Sequence, residues 1–188
     1  MAKPILQQTE KVLRKKAVEI PVADIKTPKI KKILKEMSAS LLEQHDGVAI
    51  AAPQIGYSLR IFVVSGKIFA DGFAERREER INGKTPATPT PLTKEEELKD
   101  MIFINPKISK LSRDKEWMPE GCLSVRPMYG KTFRSIKATV TAYDENGKKF
   151  TRGASGLLAQ IFQHETDHLD GILFIDHAKD VKAEELPN

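Results

Sequence analysis

The stretch from Gly153 to Phe174, GASGLLAQIFQHETDHLDGILF, constrains this chain more than any other, because it reads as one helix carrying His164, Glu165 and His168. Leu157, Ile161, His164 and His168 recur at steps of four, three and four and share one face. Leu158, Phe162, Glu165 and Leu169 form the adjacent stripe. Both imidazoles therefore point into a buried region, while Gln163, Thr166 and Asp170 fall on the far side, toward water. Ser155 stands where a side chain can cap the start, and Gly171 where a left-handed C-terminal cap is expected.

Two histidines four apart on one helical face can bind a single metal ion, and a glutamate directly after the first reaches a water bound to it. The arrangement suits hydrolysis: the ion lowers the water's pKa toward neutrality and Glu165 accepts the proton. The competing explanation is a charged helical segment that meets the pattern by chance, and a helix this apolar argues against it. Cys122, within MPEGCLSVR at Met118 to Arg126, is the candidate third ligand beside His164 and His168. A thiolate with two imidazoles suits Zn²⁺ or Fe²⁺ and leaves a coordination position for water, which implies a catalyst. A lone cysteine is ordinarily a small buried hydrophobe. Here Gly121 allows close backbone approach, and the amide of Leu123 is placed to act as an oxyanion donor.

With 188 residues, 40% hydrophobic and 30% charged, the chain suits one globular domain spanning 1–188. The N-terminus has no apolar run suited to a signal peptide, and no stretch approaches a membrane span. The expectation is a cytoplasmic protein with no membrane association. The single cysteine excludes an intramolecular disulfide framework. A net charge of +5 permits a weak preference for anions, but the charges are interspersed and no basic motif marks a specific nucleic-acid site.

In chain order, Pro4 to Pro21 reads as an irregular basic segment anchored by Val12, Leu13, Val18 and Ile20. Thr27 and Pro28 start a helix whose stripe of Ile30, Ile33, Leu34, Met37 and Leu41 runs to about His45, with lysines on its wet side. DGVAIAAPQIG, Asp46 to Gly56, follows no period; its small residues let a backbone approach closely, and Gln54 offers a side-chain amide to a developing oxyanion. Leu59 to Ser65 and Met101 to Ile104 are strand candidates. Between them, about 66–100 reads as a surface insertion, with a charged run at 75–80, a proline-rich tract at 85–91 and a helical turn at 94–99. Ile136, Ala138, Val140 and Ala142 alternate with polar residues, and Asn146-Gly147 turns the chain back through Lys148 to Arg152 as a hairpin. The fold class is α+β: antiparallel β-strands wrapped around a central buried helix that carries HExxH, with an additional outer helix.

Taken together, GVAIAAPQ at 47–54, EGCLS at 120–124 and QHETDHLDG at 163–171 resemble the three ordered motifs of the peptide deformylase family. The third motif is shared with zinc proteases; the three in order are specific, and the similarity spans most of the chain. The resemblance implies a hydrolase of protein biosynthesis that removes the N-formyl group from the initiator methionine of nascent polypeptides, releasing formate. It implies Cys122, His164 and His168 as metal ligands, with Fe²⁺ the native ion and Zn²⁺, Ni²⁺ or Co²⁺ as possible replacements, one per chain. Glu165 would be the general base and then the acid for the leaving amine; Gln54 and the backbone N–H of Leu123 would stabilise the oxyanion. Val48, Ala49, Gly121, Leu157 and Ile161 are the candidates for contacts with the methionine and the peptide backbone. The implied partner is an N-formylmethionyl nascent peptide, met in transient proximity to the ribosome by a monomer.

Three departures from the family pattern stand out. Ala49 replaces the second glycine of the first motif, where an added methyl would narrow the pocket, or shift the loop if that position needs positive φ. The 66–100 insertion is longer than in compact members, and the segment after Phe174 reads as a short charged tail, too short for a helix that docks on a ribosome. Two rival functions are a zinc endopeptidase, for which Phe174 stands where the extended motif requires a third histidine, and an inactive metal-binding module closed by His45 or His177.

Overall fold

The computed structural model describes residues 1–70, Phe73 and 99–183. The charged run at 75–80, the proline-rich tract at 85–91, most of the expected turn at 94–99 and the final residues 184–188 lie outside the described residues. In order, the elements are α1 (Pro28–Leu42), β1 (Ala49–Ala51), β2 (Ile61–Val64), β3 (Met101–Leu111), β4 (Lys115–Gly121), β5 (Met128–Ser135), β6 (Lys137–Tyr143), β7 (Lys149–Ser155), α2 (Gly156–Leu169) and β8 (Lys179–Ala183). Both sheets are antiparallel: five strands ordered β1-β2-β3-β6-β7, and three ordered β4-β5-β8.

In the larger sheet β1, β2 and the first part of β3 are buried on both faces because they carry apolar residues on both. Ile50, Ile61, Val63 and Ile104 pack with Ile30, Ile33, Met37 and Leu41 of α1. On the opposite face Phe62, Val64, Phe103, Ala138, Val140 and Ala142 pack with Ala159, Ile161, Phe162 and Leu169 of α2. Phe62 stacks on Phe103 at a centroid separation of 4.5 Å, and the Phe162 ring meets Phe103 edge-on at 5.2 Å. Small alanines on β6 leave room for α2 to lie close to the sheet. The smaller sheet closes over the other side of α2, where Gln163 accepts from Ser135 N at 3.0 Å and donates to Ser135 O at 2.9 Å. The helix is therefore held between the two sheets, as the motif's apolar flanks require.

Several boundaries differ from the sequence expectation. The helix expected over 153–174 spans only Gly156–Leu169, because Gly153, Ala154 and Ser155 still pair with Thr139, Ala138 and Lys137 and so extend the hairpin. Ser155 occupies the N-cap position without a side-chain capping bond. Gly171 has φ +77°, as a left-handed exit demands, and Phe174–Asp176 forms a separate 3₁₀ turn. A Cβ at Gly171 would stand 2.9 Å from the Arg14 carbonyl carbon, so the N-terminal segment fits there only against a hydrogen atom. Gln163, expected to face water, is 6% exposed because it satisfies the edge of β5.

Strand β3 runs seven residues past Ile104, where the strand candidate ends, through Asn105-Pro106. Asn105 has φ +51°, and its side chain both accepts from Ile20 N at 2.8 Å and donates to Ile20 O at 2.7 Å, so a tertiary partner carries the ladder across the kink. The N-terminal segment is anchored by Leu13, Ala17 and Ile20, whereas Val18 is 62% exposed, since its backbone rather than its side chain bridges to Leu59. Helix α1 ends at Leu42, short of His45. The segment after Phe174, expected as a loose tail, instead pairs with β5 as β8. Truncation of Phe103 to alanine is expected to destabilise the protein by about 3–5 kcal/mol, read as a shift of the urea midpoint at unchanged m-value.

Candidate metal centre

Each of the three sequence motifs delivers its side chains from a different element. The first runs from β1 into a 3₁₀ turn, Ala52–Ile55, which carries Gln54; the second leaves β4 at Gly121; the third lies on α2. The fold converges them: one ligand atom each from Cys122, His164 and His168 lies within 4.8 Å of the others. Cys122 Sγ is 3.1 Å from His168 Nε2, and the two imidazole rings are 4.9 Å apart at 74°, as expected for positions i and i+4 on one face. Cys122 is 8% exposed, His168 1% and Glu165 3%.

Glu120, which the sequence reading left without a role, ties this site together. Its Oε1 lies 2.6 Å from His164 Nδ1. The same carboxylate accepts from Arg134 Nη2 at 2.7 Å and Nε at 3.1 Å, from Thr132 Oγ1 at 2.5 Å and from Gln160 Nε2 at 3.3 Å. Arg134 also donates to Asp167 at 2.6 Å, so strand β5 grips both Glu120 and the metal helix. Burial alone would raise the Glu120 carboxyl, but the charges and hydrogen bonds of His164 and Arg134 hold it far below the usual carboxylate range. His164 Nδ1 is thereby committed to Glu120, which leaves Nε2 for a ligand. Burial works against a protonated His164, yet Glu120 and Cys122 outweigh it and raise its pKa well above the usual value. At His168 burial dominates, aided by the charge of His164, and lowers the pKa well below normal, keeping that ring neutral.

Glu165 sits differently. Burial pushes its carboxyl up to about 7; the charge of His164 opposes this and those of Glu120 and Asp167 add to it. Among the described residues, Glu165 Oε2 and His168 Nδ1 are buried side-chain atoms without a hydrogen-bond partner. A buried carboxylate oxygen without a protein donor is costly unless something else meets it, and a water on an adjacent ion would. A thiol, two imidazoles and this free carboxylate oxygen fit a catalytic divalent ion with an open position.

Gln54 is 2% exposed and fixed at both ends of its amide. Its Oε1 accepts from Ala51 N at 2.8 Å, while Nε2 lies 3.0 Å from Ser124 Oγ and 3.7 Å from Cys122 Sγ. The N–H groups are thus aimed at the cysteine side of the cluster. Of the five candidate substrate contacts, Val48, Ala49, Leu157 and Ile161 belong to one apolar cluster beside α2. Gly121 lies apart, next to Cys122, with the Tyr129 ring so close that a Cβ there would sit 2.4 Å from it. Ala49 takes no positive φ; it is an ordinary β1 residue paired with Val64 and 6% exposed, so its methyl joins the apolar wall without bending the loop. His45 and His177 lie outside the cluster.

The sequence pattern of the polypeptide deformylase family matches residues 2–184. The chain belongs to this family. It is 34% identical over 182 residues to peptide deformylase of Christiangramia forsetii, covering 97% of this chain and 84% of that protein. It is 38% identical over 167 residues to peptide deformylase 2 of Clostridium acetobutylicum, covering 89% of each. Among solved structures it is similar to the Acinetobacter baumannii class I type b peptide deformylase bound to Met-Ala-Ser, at 27% identity and a TM-score of 0.73 over 94% of this chain and 99% of that one. The Legionella pneumophila peptide deformylase matches at 30% identity and a TM-score of 0.74, over 96% and 88%. Family membership makes the chain a metal-dependent hydrolase with the α+β fold described above. Replacing Glu120 with glutamine removes the charge that orients His164, and is expected to weaken metal affinity about 10- to 100-fold in a chelator competition.

Proposed function

We infer that this chain removes the N-formyl group from formylmethionyl peptides, releasing formate and a free N-terminal methionine. The observation that carries the reading is the convergence of Cys122, His164 and His168 beside a buried Glu165 whose carboxyl is raised to about 7, in a chain of the deformylase family. Cys122, His164 and His168 would hold the ion; we propose Fe²⁺ as the native one, with Zn²⁺, Ni²⁺ or Co²⁺ able to replace it. When bound, it supplies Lewis-acid activation of water and of the formyl oxygen.

The remaining steps belong to the chain's own residues. Glu165, with a carboxyl poised near neutral pH, takes the proton from the attacking water and returns it to the departing amine. Gln54, rigid because Ala51 N holds its Oε1, presents its N–H to the oxygen that becomes negative, and the backbone N–H of Leu123 serves as the second donor. Preorganisation matters here: an amide already fixed in the ground state spends nothing on reorganisation as charge develops. Val48, Ala49, Leu157 and Ile161 would form the wall of the methionine side-chain site, and Gly121 would meet the peptide backbone. A Met-Ala-Ser peptide bound to the Acinetobacter baumannii relative supports a peptide substrate with methionine first.

We further propose a monomeric cytoplasmic enzyme that meets its substrate on nascent chains, organised as one domain with the 66–100 segment as an insertion. No described helix is long and apolar enough to cross a membrane.

The direct test is formate release from a formyl-Met-Ala-Ser peptide by protein loaded anaerobically with Fe²⁺. Glu165→Gln is expected to lower kcat by about 10²–10⁴-fold while retaining one ion per chain. Cys122→Ser is expected to lose both ion and turnover; wild-type protein that holds its ion yet releases no formate would defeat the assignment. Gln54→Leu removes one oxyanion donor and is expected to cost about 10²–10³-fold in kcat with KM little changed.

A further inference from the structure

The outer face of the three-stranded sheet carries a feature that formyl hydrolysis does not use. Trp117 on β4 pairs directly with Phe133 on β5; the two rings lie 5.2 Å apart, tilted by 37°, and are 44% and 50% exposed. Alternation along the strands puts Lys115 and Lys131 on the same face, two residues from Trp117 and Phe133 respectively. The β5–β8 register sets Lys179 directly opposite Lys131, and Lys179 Nζ hangs 4.8 Å over the Trp117 ring. Lys115 Nζ lies 6.0 Å from the Phe133 ring. Among the described residues, Asp180 supplies a counter-charge here: its carboxylate stands 3.6 Å from Lys131, with both side chains largely exposed.

Like charges set directly opposite across two strands are unfavourable, and Asp180 is one carboxylate against the three ammonium groups of Lys115, Lys131 and Lys179, so the face keeps an excess of positive charge for an anion. Exposed aromatic rings flanked by cations are the composition of a surface that stacks unpaired bases while its cations follow the phosphates. An acidic peptide would satisfy the lysines but leave the two rings without a role.

We propose that the Trp117–Phe133 face, with Lys115, Lys131 and Lys179, binds single-stranded RNA without sequence specificity. Bases stack on the two rings and the ammonium groups contact the backbone. The grouping is invisible in the sequence, where the three lysines are scattered over 64 positions and only strand pairing assembles them, which is why no basic motif stood out. Sites for RNA and for the formyl peptide are separate on this reading, so occupancy of the sheet face leaves turnover of a short peptide unaffected.

Trp117 is the chain's single tryptophan, so stacking has a built-in reporter. The metal-loaded, full-length protein is titrated with a twelve-residue oligoadenylate at low salt, following tryptophan emission. Saturable quenching is expected, with log affinity falling against log salt at a slope of about −2, the value for three phosphate contacts on a single strand. Lys131→Gln and Lys179→Gln are each expected to weaken binding about three- to tenfold, and Phe133→Ala about tenfold. All three should retain formate release from a formyl dipeptide, which also shows that they fold. No quenching at low salt would overturn the proposal. So would quenching indifferent to both lysine substitutions, or equally tight binding of polyglutamate, which would assign the face to an acidic protein.

Discussion

Removing a carboxylate from water costs several kcal/mol unless its oxygens are fully met, and a half-met one is worse than none. Glu120 is met by Arg134 and Thr132 from β5, by Gln160 and His164 from α2, and sits on the strand that ends one residue before Cys122. That single buried charge therefore requires the smaller sheet, the metal helix and the cysteine loop to be in register at once. Displacing any of the three would strand an ion in the interior. Arg134 extends the requirement through Asp167, one position before the second histidine. The geometry of the ligand cluster is thus fixed by electrostatics in the layer around it as much as by the packing of α2.

The same layer separates the two carboxylates by environment. Glu120 is surrounded by donors and stays ionised, whereas Glu165, on the next helical position from His164, is buried with one oxygen unmet and its proton affinity rises. Two glutamates in one site thereby acquire opposite characters from burial and partners alone. The cost of the Glu165 environment is local, and the aromatic cluster of Phe62, Phe103 and Phe162 beneath the helix supplies the rigidity that tolerates it.

What the sequence disclosed, it disclosed through period and short-range spacing. The i, i+4 histidines, the apolar stripes of both helices and the alternation over 136–142 are local patterns, and each became the element they describe. What escaped was decided by partners distant in the chain. The strand candidate stopped at Ile104, yet β3 continues through a kink at Asn105 closed by Ile20; Gln163 looked solvent-facing and serves Ser135; the residues after Phe174 looked like a tail and pair with β5. Glu120 was visible inside its motif, yet its partner Arg134 sits on a strand whose Gly130 and exposed lysines and aromatics hide its pattern. In the site itself, the grouping of Cys122, His164 and His168 follows from the motifs, while the contacts of Glu120 with Arg134 and Thr132 do not, because they come from the opposite sheet.

The N-terminal segment docks against two separate parts of the site. Ala17 N donates to Leu169 O at 2.8 Å, Arg14 reaches Asp176 across 162 positions, and Leu6 N donates to the carbonyl of Gln54. The first twenty residues thus touch both the first motif and the exit of the metal helix. Contacts so far apart in sequence carry the largest loop-closure entropy and form late on the folding path. During synthesis Leu6 can meet Gln54 early, whereas Ala17 and Arg14 must wait for Leu169 and Asp176, so the contacts that clamp the exit of α2 close after those at the first motif.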